Sequence, residues 1–159
     1  DTWSAVESVY PSGMPAAQSL QRAPTDAQLA WLHCYDMRFA PGEGLTSFDG
    51  IERSCSDTRM WIRDEPPRPL DFAALAAICD SFEPSVWTRR QKFVPIGTIT
   101  LSTYFHVYGA LLAEQSTRHV LLNTWAHNFR NGYFDQSAEV WSDTQQLLAS
   151  THQMVYFRE

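Results

Sequence analysis

Residues 71–82 read DFAALAAICDSF, and this stretch decides how the rest of the chain is organised. Phe72, Leu75, Cys79 and Phe82 recur at helical spacing, with Asp71 placed as an N-cap directly after Pro69 and Leu70. Ala73, Ala74, Ala76 and Ala77 fill the positions between them. Small side chains almost all round let neighbouring backbone come close, so the pattern predicts a helix enclosed by a curved sheet rather than laid on a flat one. The EPS at 83–85 stops it.

Working outward, the flanks read as strands. LHCYDMRF (32–39) alternates in polarity, and SCSDTRMWIR (54–63) does so less cleanly. The DEPPRP that follows, with three prolines lacking amide donors, cannot join a central ladder and delivers the chain to the helix. Beyond Pro95 the chain reads as strands only. TITLSTYFHVY (98–108), RHVLLNTWAHNF (118–129), the weaker pair GYFD and AEVWS, and LLASTHQMVYF (147–157) are rich in β-branched and aromatic residues. The connections are short, with Asn131–Gly132 and SDTQQ as turns, so neighbouring strands should run antiparallel. One helix among about six strands excludes a doubly wound parallel fold. The expectation is an α+β domain over 27–159, one central helix wrapped by a curved antiparallel sheet of five to six strands, preceded by an irregular segment over 1–26.

Charge narrows the function classes. Twelve basic against eighteen acidic side chains give a net charge of -6, with no basic stripe to follow a phosphate backbone, which argues against a nucleic-acid partner. No apolar run approaches the roughly 20 residues of a spanning helix. Three cysteines with no CxxC spacing point to a reducing, cytoplasmic setting.

Within the last strand, Leu147, Ala149, Thr151, Gln153, Val155 and Phe157 share a face. Gln153 is the anomaly, a carboxamide in the middle of a side that should be buried. It is either a satisfied core amide or part of a site. Asp80, near the C-terminal end of the helix, is a carboxylate that the macrodipole disfavours in ionised form, although a solvated helix-end aspartate is the more ordinary reading. His106, His127 and His152 lie on the long strands without HxH or HxxxH spacing and are assigned to packing, so no metal or cofactor is expected. Arg89, Arg90 and Lys92 form the compact basic cluster. It is either a solvated loop or a seat for nucleotide phosphates.

The order of the helix, TITLSTYFH, VLLNTWAHN, GYFD and LLASTHQMVYFR, together with WIRDEPPRPLDFAALAAICDSF, resembles the carboxy-terminal half of the double hot-dog acyl-CoA thioesterases, the thioesterase II type and its thioesterase-like superfamily. The likeness runs from about Trp31 to Arg158. It implies a hot-dog fold and hydrolysis or binding of fatty acyl-CoA thioesters. It also implies pairing, as a homodimer or with a second hot-dog unit, with 1–26 as the connection from a first unit. In that family a water is positioned by an aspartate, a threonine or serine, and a glutamine; on a hydrolytic reading, backbone N–H groups at a helix N-terminus would polarise the thioester. Carried over, the glutamine falls on Gln153, the hydroxyl position on Asn128 and the aspartate position on Thr100. A threonine cannot take a proton from water near neutrality. The alternative reading is therefore a non-catalytic acyl-CoA-binding or assembly module that has lost its base.

Overall fold

The computed structural model describes residues 3–25, 29–44 and 48–158. The elements are β1 (Tyr35–Phe39), β2 (Thr58–Asp64), α1 (Phe72–Ile78), α2 (Ser85–Arg90), β3 (Ile96–Phe105), α3 (Gly109–Gln115), β4 (Val120–Trp125), β5 (Phe129–Arg130), β6 (Tyr133–Trp141) and β7 (Leu147–Phe157). Short 3-10 turns cover Ala17–Ser19 and Ala30–Cys34. The seven strands form one antiparallel sheet in the order β1-β2-β4-β6-β7-β3, with β5 hanging from β6.

Helix α1 begins where its cap demands. The Asp71 carboxylate accepts the Ala74 N–H at 2.7 Å, satisfying one of the amides that a first turn leaves open. Its inward side, Ala74, Leu75 and Ile78 with Cys79, packs against Met37, Met60, Ile62, Val120, Leu122, Val140 and Ala149 of the sheet. The other side differs from the expectation of an all-round enclosure: Phe72, Ala73, Ala76 and Ala77 are exposed. The sheet curls about one face of the helix and leaves the alanine face open.

Two further helices occur where strands or loops were expected. GALLAEQ at 109–115 is made of good helix formers and carries the chain across the sheet, so β3 ends beside β7 at the far edge instead of pairing with β4. The weaker pair GYFD and AEVWS is one continuous strand, β6.

The opposite face of the sheet is covered by the chain's own beginning. Tyr10, Met14, Ala17 and Leu20 pack on Trp61, Leu121 and Trp141, and the Trp61 indole donates to the Pro15 carbonyl at 2.8 Å. Arg38 holds the same segment by donating to the Ala17 carbonyl at 3.0 Å, while its guanidinium clasps the buried Asp36. The division expected at Asp26 lies outside the described residues.

Candidate active site

Position in a strand decides which way a side chain faces, and a bulge in β3 changes the count. Thr98 lies opposite Val155, then the register slips by one residue, so that Thr100 lies opposite Met154 and Leu101 opposite Gln153. Residues directly opposite one another share a face, and successive residues alternate. Thr98 therefore shares the inward face with Gln153, whereas Thr100 goes with Met154 to the other side of the sheet. The extra residue, Ile99, is 59% exposed at the bulge.

On the inward face Gln153 is held at both ends of its amide. Its Nε2 donates to Asp80 Oδ1 at 3.0 Å, and its Oε1 accepts the Thr98 hydroxyl at 3.3 Å. The orientation of the amide follows from chemistry, because an ionised carboxylate only accepts. Asp80 reaches this point from the turn just after α1, where the Ser81 hydroxyl bonds back to the Ala77 carbonyl at 2.7 Å and closes the helix. Asp80 is an exposed residue, and partial desolvation of its carboxyl against the cavity wall raises its pKa above the ordinary value, which the Gln153 donor partly offsets.

These three residues line a cavity of about 590 Å³. Trp31, Phe82, Trp87, Phe93, Phe134 and Val155 supply apolar walls, and Gln136 and Cys34 add polar groups. A polar constellation at one wall of an apolar cleft is the usual form of a small-molecule site. What this one offers is a carboxylate of raised pKa beside a fixed amide, with an apolar space for an extended substrate.

The other residues singled out in the sequence fall elsewhere. Asn128 does not line this cavity; its backbone N–H donates to Asp135 at 2.8 Å, and the residue borders a separate cavity of about 390 Å³ with Arg89, Arg90 and Arg130. Arg89 pairs with Glu52 at 3.0 Å, and Lys92 is exposed. The histidines do not gather: His106 bonds Ser150 at 2.9 Å, His127 bonds Asp135 at 2.6 Å, and His152 bonds Ser137 at 2.8 Å. Among the described residues no group of three or more His, Cys, Asp or Glu side chains is placed to hold a metal ion. Nor does the N-terminus of α1 line the cavity, which opens at the helix's other end.

A helix on the concave side of a bent antiparallel sheet is the architecture of a hot-dog domain. The chain belongs to the family of acyl-CoA thioesterase C-terminal domains, whose model matches residues 11–157. A hot-dog protein of unknown function from Alicyclobacillus acidocaldarius is 40% identical across the whole chain, with a TM-score of 0.89. A thioesterase-like structure from Novosphingobium aromaticivorans (18% identity, TM-score 0.75) covers the whole chain, and an acyl-CoA thioesterase II from Mycobacterium marinum (15%, TM-score 0.71) covers 99% of it; both share the fold. The chain spans 58% of the Alicyclobacillus and Novosphingobium chains and 59% of the Mycobacterium one. Comparison with curated protein sequences gives no match.

Proposed function

We propose that the domain hydrolyses fatty acyl-CoA thioesters, with Asp80 as general base and Gln153 and Thr98 as the groups that position it and the attacking water. The observation that carries this reading is the contact at 3.0 Å between the Asp80 carboxylate and the Gln153 amide in an apolar-walled cavity. An aspartate, a threonine and a glutamine are the residue types that the family resemblance implies, and this arrangement supplies all three without Thr100 or Asn128. The missing-base argument for a purely binding module thereby loses its footing.

The steps follow from the groups present. Asp80 takes a proton from a water as its oxygen adds to the thioester carbonyl carbon. The tetrahedral adduct collapses, the carbon–sulfur bond breaks, and the leaving thiolate recovers the proton from Asp80. Water is consumed and a carboxylic acid and a thiol are released. The acyl chain lies along the aromatic walls. Arg89, Arg90 and Arg130 border the neighbouring cavity and suit the phosphates of the coenzyme.

The reading includes a second hot-dog unit, from another copy or another segment. Strand β3 is a ten-residue edge whose Ile99, Leu101, Tyr104 and Phe105 are exposed, next to the open alanine face of α1. An apolar edge of that length is a pairing surface unless something covers it. Among the described residues no helix is long and apolar enough to cross a membrane, and Cys34, Cys55 and Cys79 are unpaired, which suits a reducing cytoplasm.

Thiol release from acyl-CoAs of graded chain length tests the reading. Turnover strongly reduced in Gln153→Ala supports hydrolysis; tight binding of acyl-CoA without turnover by the unaltered protein would return the domain to the class of binding modules.

A further inference from the structure

The cavity contains a second glutamine that the Asp80–Gln153–Thr98 chain does not use. Gln136 on β6 is the direct cross-strand partner of Gln153 on β7, so the two amides stand side by side on the inward face. Gln136 is 3% exposed and lines the cavity. Its Oε1 accepts the Ser85 backbone N–H at 2.6 Å, at the first residue of α2. An N–H can be accepted only by the oxygen end of the amide, so this bond fixes which end is which. The Nε2 end is therefore the donor left over. Among the described residues no acceptor meets it, and it is not one of the polar atoms sealed inside the protein without a partner.

An amide donor with no protein acceptor, accessible to solvent on a residue that lines the cavity, is free to meet an acceptor from a ligand. Resting on the hydrolytic reading above, we propose that Gln136 Nε2 donates to the thioester carbonyl oxygen and stabilises the negative charge that develops there. The position suits the reaction. Asp80 and Gln153 hold the attacking water on one side of the carbonyl carbon, and the neighbouring amide supplies a preorganised donor for the oxygen. α1 presents its C-terminal end to the cavity, and the Ser85 N–H at the start of α2 is engaged by Gln136 itself. In this arrangement α2 acts through Gln136, its Ser85 N–H holding the amide in the donating orientation.

Two measurements test this. In steady-state hydrolysis of octanoyl-CoA, Gln136→Met and Gln136→Glu, the latter assayed at alkaline pH, should each lower kcat by roughly 10²-fold with KM changed by less than about threefold. Gln136→Glu keeps an acceptor for the Ser85 N–H, so it guards against simple misfolding of the Met variant. In difference infrared spectra of octanoyl-CoA carrying ¹³C at the carbonyl, binding to Asp80→Asn should move the carbonyl stretch to lower wavenumber, and adding Gln136→Met should abolish that move. Variants at Gln136 that retain kcat while Asp80→Asn is inactive would overturn the role of Gln136 and leave the hydrolytic reading standing. Should Asp80→Asn hydrolyse as fast as the unaltered protein, the reading itself fails. The carbonyl band then decides for Gln136 alone, since a shift that persists in the double variant overturns its role.

Discussion

Asp80 and Gln153, 73 residues apart in sequence, meet at 3.0 Å because the end of the central helix is laid across the middle of the last strand. This contact accounts for the carboxamide on an otherwise apolar strand face. Gln153 joins an acid on one side to a hydroxyl on the other, and neither partner is near it in sequence.

The bulge in β3 gives the two threonines opposite consequences. Thr98→Val removes the donor that holds Gln153 Oε1 and should lower kcat by roughly 10-fold, about the effect of losing one neutral hydrogen bond. Thr100→Val acts on the far face and should leave kcat/KM unchanged. Equal losses in the two variants would place the site on the wrong side of the sheet.

The rate should fall in acid as Asp80 takes up a proton. Partial desolvation raises its pKa, so the acid limb of kcat/KM should have its midpoint above the ordinary 3.8. The Gln153 amide stabilises the ionised form and holds that rise down. In a variant with residual activity, such as Gln153→Ala, the midpoint should therefore move further up; a downward move would contradict the assigned hydrogen bond.

Stability should carry its own pH signature at Glu83, in the turn between α1 and α2. Burial pushes this carboxyl from 4.5 up to about 8. The unfolded chain releases the proton near 4.5 while the native state keeps it to about 8, so stability declines as pH rises across that interval and is level above it. Glu83→Gln removes this penalty. Its Tm relative to the parent should climb between those two values, as followed by thermal melts at several pH values, and a constant difference would argue against a neutral Glu83.

The three thiols should separate by reactivity. Cys34 and Cys55 are exposed, whereas burial pushes Cys79 up to about 12. Iodoacetamide should label two sites in the native protein and the third only after unfolding, by peptide mass. Because Cys34 lines the cavity, its labelling should also obstruct acyl-CoA hydrolysis.

The architecture was legible in the sequence where periodicity was strong. The cap at Asp71 and the ends of the closing strand stand where the pattern put them, and Gln153 was visible as a polar residue in an apolar row. The helix at 109–115 was hidden because its run of Leu and Ala lies between two β-rich stretches and reads as their continuation. Thr98 was hidden for a different reason: a bulge inverts the parity on which face assignment rests, and nothing in TITLST announces the slip between Thr98 and Thr100. Asp80 was noticed as a carboxylate at a helix end. Its partner depends on where that helix crosses the sheet, a tertiary fact with no local signal.

The most direct test of the account is the turnover of a medium-chain acyl-CoA by Asp80→Asn, a substitution that preserves shape and removes the base. The account expects kcat to fall by about 10²- to 10⁴-fold while acyl-CoA still binds. Hydrolysis at the parent's rate by this variant would contradict it.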